Sequence, residues 1–212
     1  MSDDHALRVL RQVLTRLQSQ PWERNHWDPS RTRAARDDAL ARFGQILSAE
    51  QVGGLDKETF LTFLRSENRR HTVGLGRGVS LVADMPRLRV ALALLVDQRL
   101  PLRARLDRLR PPVGKPMISG FGPSVITAVL HFMDPGRYGI LNGTSEKVMS
   151  RLGLSPELPR KASFADRYEA VNGVLSRLAS LLAIDLGLLD SLWWRVPPQH
   201  LIGAAIPQEG AR

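Results

Sequence analysis

Cysteine is absent from the 212 residues. That excludes disulfides, thiolate zinc sites, iron–sulfur clusters and cysteine nucleophiles together. It leaves the compartment open, because a chain without thiols suits reducing and oxidising surroundings alike. Long apolar runs are also missing: no segment reaches the roughly 18 residues that a membrane-spanning helix needs. The opening MSDDHALRVL is acidic and then amphipathic, unlike a secretory signal. These absences predict a cytoplasmic protein without a membrane partner. The 5 histidines show no metal-ligand spacing such as HExxH, and no P-loop, EF-hand or Ser-His-Asp order occurs, so no metal is expected.

Lysine is scarce as well. Of 30 basic residues, 26 are Arg and 4 are Lys, set against 21 Asp and Glu, for a net charge of +9. A sequence pI near 11.0 points to an anionic partner, nucleic acid or an anionic surface. Arginine also accumulates in GC-rich genomes, so charge is only part of the argument. With 43% hydrophobic residues, the length suits one compact domain or two small lobes sharing a core.

The apolar pattern has helical period nearly throughout. Ala6, Val9, Leu10, Val13, Leu14 and Leu17 form one stripe, and Ala35, Ala39, Leu40, Phe43 and Leu47 a second. Asp56 opens a short helix through Phe60, Phe63 and Leu64. Asp84 with Pro86 opens another, which should bury Leu88, Val90, Ala91, Leu94 and Leu95. Pro101 begins the basic helix LRARLDRLR, ended by Pro111-Pro112. An apolar helix VITAVLHFM, a loop DPGRYGILNG, a helix TSEKVMSRLGL and a long helix from Ser163 follow. A last short helix ends in Trp193-Trp194, ahead of a tail from Pro197. The glycine-rich, basic stretch 66–83, which includes Arg77, and the QPWERNHWDPSR stretch with Trp22 and Trp27 read as loops. The expectation is nine or ten helices, no sheet and no internal repeat.

The most specific segment is Ile118-Ser119-Gly120-Phe121-Gly122-Pro123-Ser124, followed by an apolar helix. Glycines let the backbone turn tightly and approach another backbone closely. The amides of the turn and of the next helix's first turn have no intrahelical partner, and they point outward at the positive end of the helix dipole. That combination binds phosphate without any side chain. Phe121 between the glycines would pin the turn into the core. Arg99, Arg103, Arg105, Arg108, Arg110 and Lys115 lie just upstream, opposed within that run only by Asp107. A charge run is usually a solvated face, but this one flanks a candidate phosphate cradle.

On these residues the chain resembles the helix-hairpin-helix DNA glycosylases, the endonuclease III, MutY and AlkA superfamily. The resemblance covers about residues 101–154 and runs through GFGPSVITAVLHFMDPGRYGILNGTSEKVMSRLGL without a gap. It implies a two-lobed, all-α glycosylase-like fold over the whole chain. One lobe of about 84–160 would carry the hairpin. A second would combine about 1–83 with 161–196, with 197–212 as a tail. It implies DNA as partner and room for a monovalent cation at the hairpin, while the absence of cysteine leaves no ligands for an iron–sulfur cluster. With the basic run and the basic loop added to the hairpin, the candidate DNA-binding set is Lys115, Gly120, Phe121, Gly122, Ser124, Thr144, Arg77 and Arg110. Ser124 stands where bifunctional members carry a Schiff-base lysine, so no lyase chemistry is implied there.

The departure is at the reaction centre. Asn142 stands where the family has its essential aspartate, and an amide can orient water but brings no negative charge. Loss of such an electrostatic contribution typically costs on the order of 10²–10³-fold in rate. Asp134 and Glu146 are the substitute carboxylates nearby. Asp134 before Pro135 also reads as a turn residue, Glu146 as a first-turn acid, and Asn142 as an N-cap. The family's base pocket would draw on Trp193, Trp194 and Tyr138, with one of the adjacent tryptophans in the core. A looser resemblance links FLRSENRRHTVGLGR, DMPRLRVALALL and RYGILN to helical modules of modification-dependent restriction proteins. Two functions follow. The first is hydrolytic excision of a damaged or modified base, in repair or in defence against modified phage DNA. The second is non-catalytic reading of DNA for a nuclease or ATPase partner. The enzyme is slightly favoured, since a free-standing chain of this length has no attached effector.

Overall fold

The structure is a computed structural model, and it describes residues 3–19, 29–65 and 80–196. Trp22, Trp27 and Arg77, with the basic stretch around it, lie outside the described residues. Among the described residues the chain is all-helical. Nine α-helices occur: α1 (Asp3–Ser19), α2 (Pro29–Gly44), α3 (Lys57–Arg65), α4 (Met85–Val96), α5 (Leu102–Leu109), α6 (Pro123–Met133), α7 (Gly143–Arg151), α8 (Phe164–Leu182) and α9 (Leu186–Trp193). Among these residues, no single helix is long and apolar enough to cross a membrane.

The helix starts are written locally. Asp84 accepts the Arg87 N–H at 3.0 Å, and Asp56 takes the Thr59 N–H at 2.8 Å and the Thr59 hydroxyl at 2.7 Å. Ser163 and Asp166 form a reciprocal capping box on α8, and Asp185 caps α9. Each cap satisfies donors that the first helical turn leaves open.

Helix α6 is the centre of the core. From Val125 to Phe132 every side chain is buried, so the helix is enclosed on all sides. It packs against α2 and α4, while α8 packs against α1, α5 and α9. Phe43, Phe63 and Phe132 meet edge to face at centroid distances of 5.5 to 6.4 Å. The α1 stripe is buried as the sequence predicts at Ala6, Val9, Leu10, Val13 and Leu14. The α4 stripe is rotated. Leu92 and Val96 are buried, Leu94 is half-buried, and Val90 is 57% exposed. A helix apolar on most of its circumference lets packing choose which face is covered.

The α8–α9 corner turns on Ala183, at φ 52° and ψ 43°. The left-handed region costs an L-residue roughly 1 kcal/mol or more, and glycine avoids that cost. Ala183→Gly is therefore expected to raise stability by about 1 kcal/mol, checked by urea denaturation.

Candidate nucleic-acid interface

The connector 110–122 joins α5 to α6. Gly120 has φ 83°, in the left-handed region where a side chain is strained, so glycine is required there. The Phe121 N–H donates to the Ile118 carbonyl at 3.3 Å, and the Gly122 N–H to the Gly120 carbonyl at 2.8 Å. These bonds close the turn. The Phe121 ring, 2% exposed, anchors it in the core.

The outer edge of the turn is left open. Gly122 is the N-cap of α6 and offers no side-chain cap, Pro123 has no N–H, and the first turn has no acidic residue. The N–H groups of Ser119, Gly120 and Ser124 make no hydrogen bond with the described residues. Ser119 and Gly120 are exposed and Ser124 is half-buried. Unpaired amides at an uncapped helix N-terminus have the polarity an anion needs.

The basic run divides once its partners are seen. Arg99 pairs with Asp97 at 2.8 Å. Arg103 bridges to Asp166 at 2.6 Å and Glu169 at 2.9 Å on α8. The Ser163 backbone N–H, together with Arg103, holds the Asp166 carboxyl below its ordinary range. Arg105 is not on the surface at all: 2% exposed, it donates from Nη1 to the Leu95 carbonyl at 2.7 Å and from Nη2 to the Tyr138 hydroxyl at 3.3 Å. Arg110 donates from Nη1 to the Phe121 carbonyl at 3.3 Å and lies 5.6 Å over the Phe164 ring. It therefore braces the turn from behind. Arg108 and Lys115 are exposed and carry no ion pair among the described residues.

Asn142 sits at the N-terminus of α7, 6% exposed. Its Oδ1 accepts from Thr144 N at 2.9 Å and Ser145 N at 3.0 Å, and the Ser145 hydroxyl accepts the Asn142 N–H at 2.9 Å. The Thr144 amide is thus engaged in the cap. Thr127 ties this site to the first turn of α6. Its Oγ1 accepts the Leu141 N–H at 3.0 Å and donates to the Pro123 carbonyl at 2.9 Å.

The remaining Asn142 group meets a residue that sequence reasoning missed. Asn142 Nδ2 donates to Asp190 Oδ1 at 3.0 Å. Asp190, on α9, is 4% exposed; burial pushes its carboxyl up to about 7, and the Asn142 hydrogen bond opposes the shift. The available signal was a lone acid between Leu188, Leu189, Leu192 and Trp193 on an apolar helix. An isolated buried carboxylate is costly, so such an acid needs a partner or a proton.

The other candidates are dispersed. Asp134 ends α6, and its carbonyl accepts the Arg137 and Tyr138 N–H groups. Glu146 is paired with Arg167 at 2.9 Å. Tyr138 and Trp193 are 1% and 2% exposed, both in the core, whereas Trp194 is 42% exposed. Tyr138 therefore lines no open surface; its hydroxyl serves the buried Arg105. Among the described residues, no group of three or more His, Asp and Glu is placed to hold a metal ion. No protein-family model matches the chain, and no curated protein or solved structure is found to be similar to it.

Proposed function

We propose that the chain binds DNA through a helix-hairpin-helix element, with the turn 119–124 gripping a backbone phosphate, and that it reads DNA rather than cutting it. The observation that carries this is the turn itself. Its inner bonds are closed, Phe121 and Arg110 brace it, and the Ser119, Gly120 and Ser124 amides stand unpaired at an uncapped helix start. Arg108 and Lys115 add unpaired positive charge on either side of the connector's first residues. Recognition without cleavage suits Asn142, whose carbonyl and amide are both engaged in the cap and with Asp190.

Binding should be salt-sensitive and indifferent to sequence at the level of the turn. A Cβ at Gly122 meets nothing closer than the Gly120 carbonyl at 3.9 Å, so a side chain fits the fold at this uncapped helix start. Gly122→Glu is expected to leave helicity unchanged and to weaken duplex binding by about 10–100-fold, the loss of a charge-assisted contact. Arg108→Gln and Lys115→Gln should each lower the salt slope by about one. Fluorescence anisotropy across a salt series measures both, and unchanged affinity in Gly122→Glu would remove the turn from the interface.

Base excision is the second reading, and the Asn142–Asp190 contact favours it. A buried carboxyl titrating near neutrality beside the position of the family aspartate suits general acid–base work. The assay is incubation with deaminated, alkylated, oxidised and cytosine-modified DNA, followed by alkali. Strand breaks that vanish in Asp190→Asn and Asn142→Ala would establish excision. Binding without breaks on that panel favours the reader.

A further inference from the structure

We propose that a second site, beside α7, binds an organic phosphate monoester of mononucleotide size. A cleft of about 540 Å³ lies between α7, the loop 154–162 and the start of α8. That volume is in the range of sites for small organic ligands. Its charge is unbalanced. Lys147, Arg160 and Arg167 line it against one carboxylate, Glu146. The 2.9 Å bridge from Arg167 to Glu146 satisfies that carboxylate and fixes the guanidinium, while the other Arg167 N–H groups keep their capacity to donate. Lys147 and Arg160 are exposed and form no ion pair among the described residues.

The surplus of two positive charges indicates the class of ligand. A phosphate monoester carries about −1.5 to −2 near neutral pH and offers three acceptor oxygens. It matches the surplus, whereas a monocarboxylate would balance half of it. The Ser150 and Ser155 hydroxyls, both exposed, are further donors on the lining. The floor is different in kind: Leu141, Met149 and Val171 are buried apolar residues. An anionic head at the rim with a less polar body on that floor describes a nucleoside 5′-monophosphate, free or at the end of a DNA strand. This site shares no residue with the turn 119–124, so it stands apart from the hairpin reading.

The test uses the full chain and isothermal titration with dAMP, deoxyadenosine and inorganic phosphate. dAMP should bind at least about tenfold more tightly than deoxyadenosine, because only it engages the cations. Lys147→Glu with Arg160→Glu should reduce dAMP affinity by at least about tenfold; both side chains are exposed, so the fold tolerates the change. Equal binding of dAMP and deoxyadenosine, or indifference to the double charge reversal, would overturn the proposal. A 5′-phosphorylated oligonucleotide that displaces dAMP better than its 5′-hydroxyl counterpart identifies the strand end as the source, and dAMP binding without that difference identifies the free nucleotide. Gly122→Glu should leave dAMP binding intact. Loss of duplex binding alone in that variant separates the two sites.

Discussion

At pH 8, Asp190→Asn is expected to unfold with about 2–4 kcal/mol more free energy than the unmodified chain, and at pH 4 with about the same. Asp190 is buried, and its carboxyl is pushed up from an ordinary value of 3.8 to about 7. A raised carboxyl binds a proton more strongly in the folded chain than in the unfolded one. Stability from this residue is therefore fully present below about pH 4 and is lost progressively as the pH rises to about 7, where the folded group ionises. Asparagine has nothing to ionise. Its carbonyl can accept the Asn142 Nδ2 hydrogen that Asp190 Oδ1 now accepts at 3.0 Å. The difference between the two proteins isolates this group from Asp56, Asp97 and Asp166, which are shifted downwards and act in the opposite sense: what they contribute is present above their ordinary range and lost as pH falls. Urea denaturation from pH 4 to pH 8 measures it. A difference that stays constant with pH would mean that Asp190 is ionised throughout. The same variant separates the two functional readings, since it keeps the α7 cap and removes the carboxylate that Asn142 contacts.

Arg105→Ala should destabilise the chain by about 2–4 kcal/mol while leaving DNA affinity within about twofold, because its guanidinium faces inward. Arg105 is 2% exposed, and its Nη1 caps the Leu95 carbonyl in the last turn of α4 at 2.7 Å. Truncation leaves that carbonyl and the Tyr138 hydroxyl without this donor, and opens a cavity between α4 and α5. Arg105 Nε has no hydrogen-bond partner among the described residues, so the site is satisfied only in part. Its neighbour Arg108 provides the control. It is exposed, and its substitution should change DNA affinity and salt slope with stability within about 0.5 kcal/mol. Thermal unfolding and anisotropy on both variants check the pair. A large affinity loss in a folded Arg105→Ala protein would place that guanidinium at the interface.

Local rules made the helices legible. Asp56, Asp84, Asn142 and Ser163 are helix-start residues that act within three positions of themselves, so their roles follow from short windows. The turn 118–124 was legible for the same reason: Gly120 takes the left-handed conformation and Phe121 enters the core, both dictated by neighbours in sequence. The reading of α4 erred at Val90 because an apolar helix with little amphipathic contrast does not name its buried face.

The sequence by itself determined the all-helical class, the helix starts and the geometry of the glycine turn, because backbone conformation and capping depend on residues within one turn of chain. Only the tertiary structure decided the charges. Arg103 is neutralised by Asp166 and Glu169, Arg105 is drawn inside beneath Tyr138, and Asn142 meets Asp190. These partners lie on other helices or in the loop between α6 and α7, far along the chain, and no spacing rule joins them. Packing of α5 on α8 and of α7 on α9 brings them within hydrogen-bonding distance. Burial then sets what each charge can do: it leaves Arg108 and Lys115 open to an anion and holds Asp190 at the edge of ionisation.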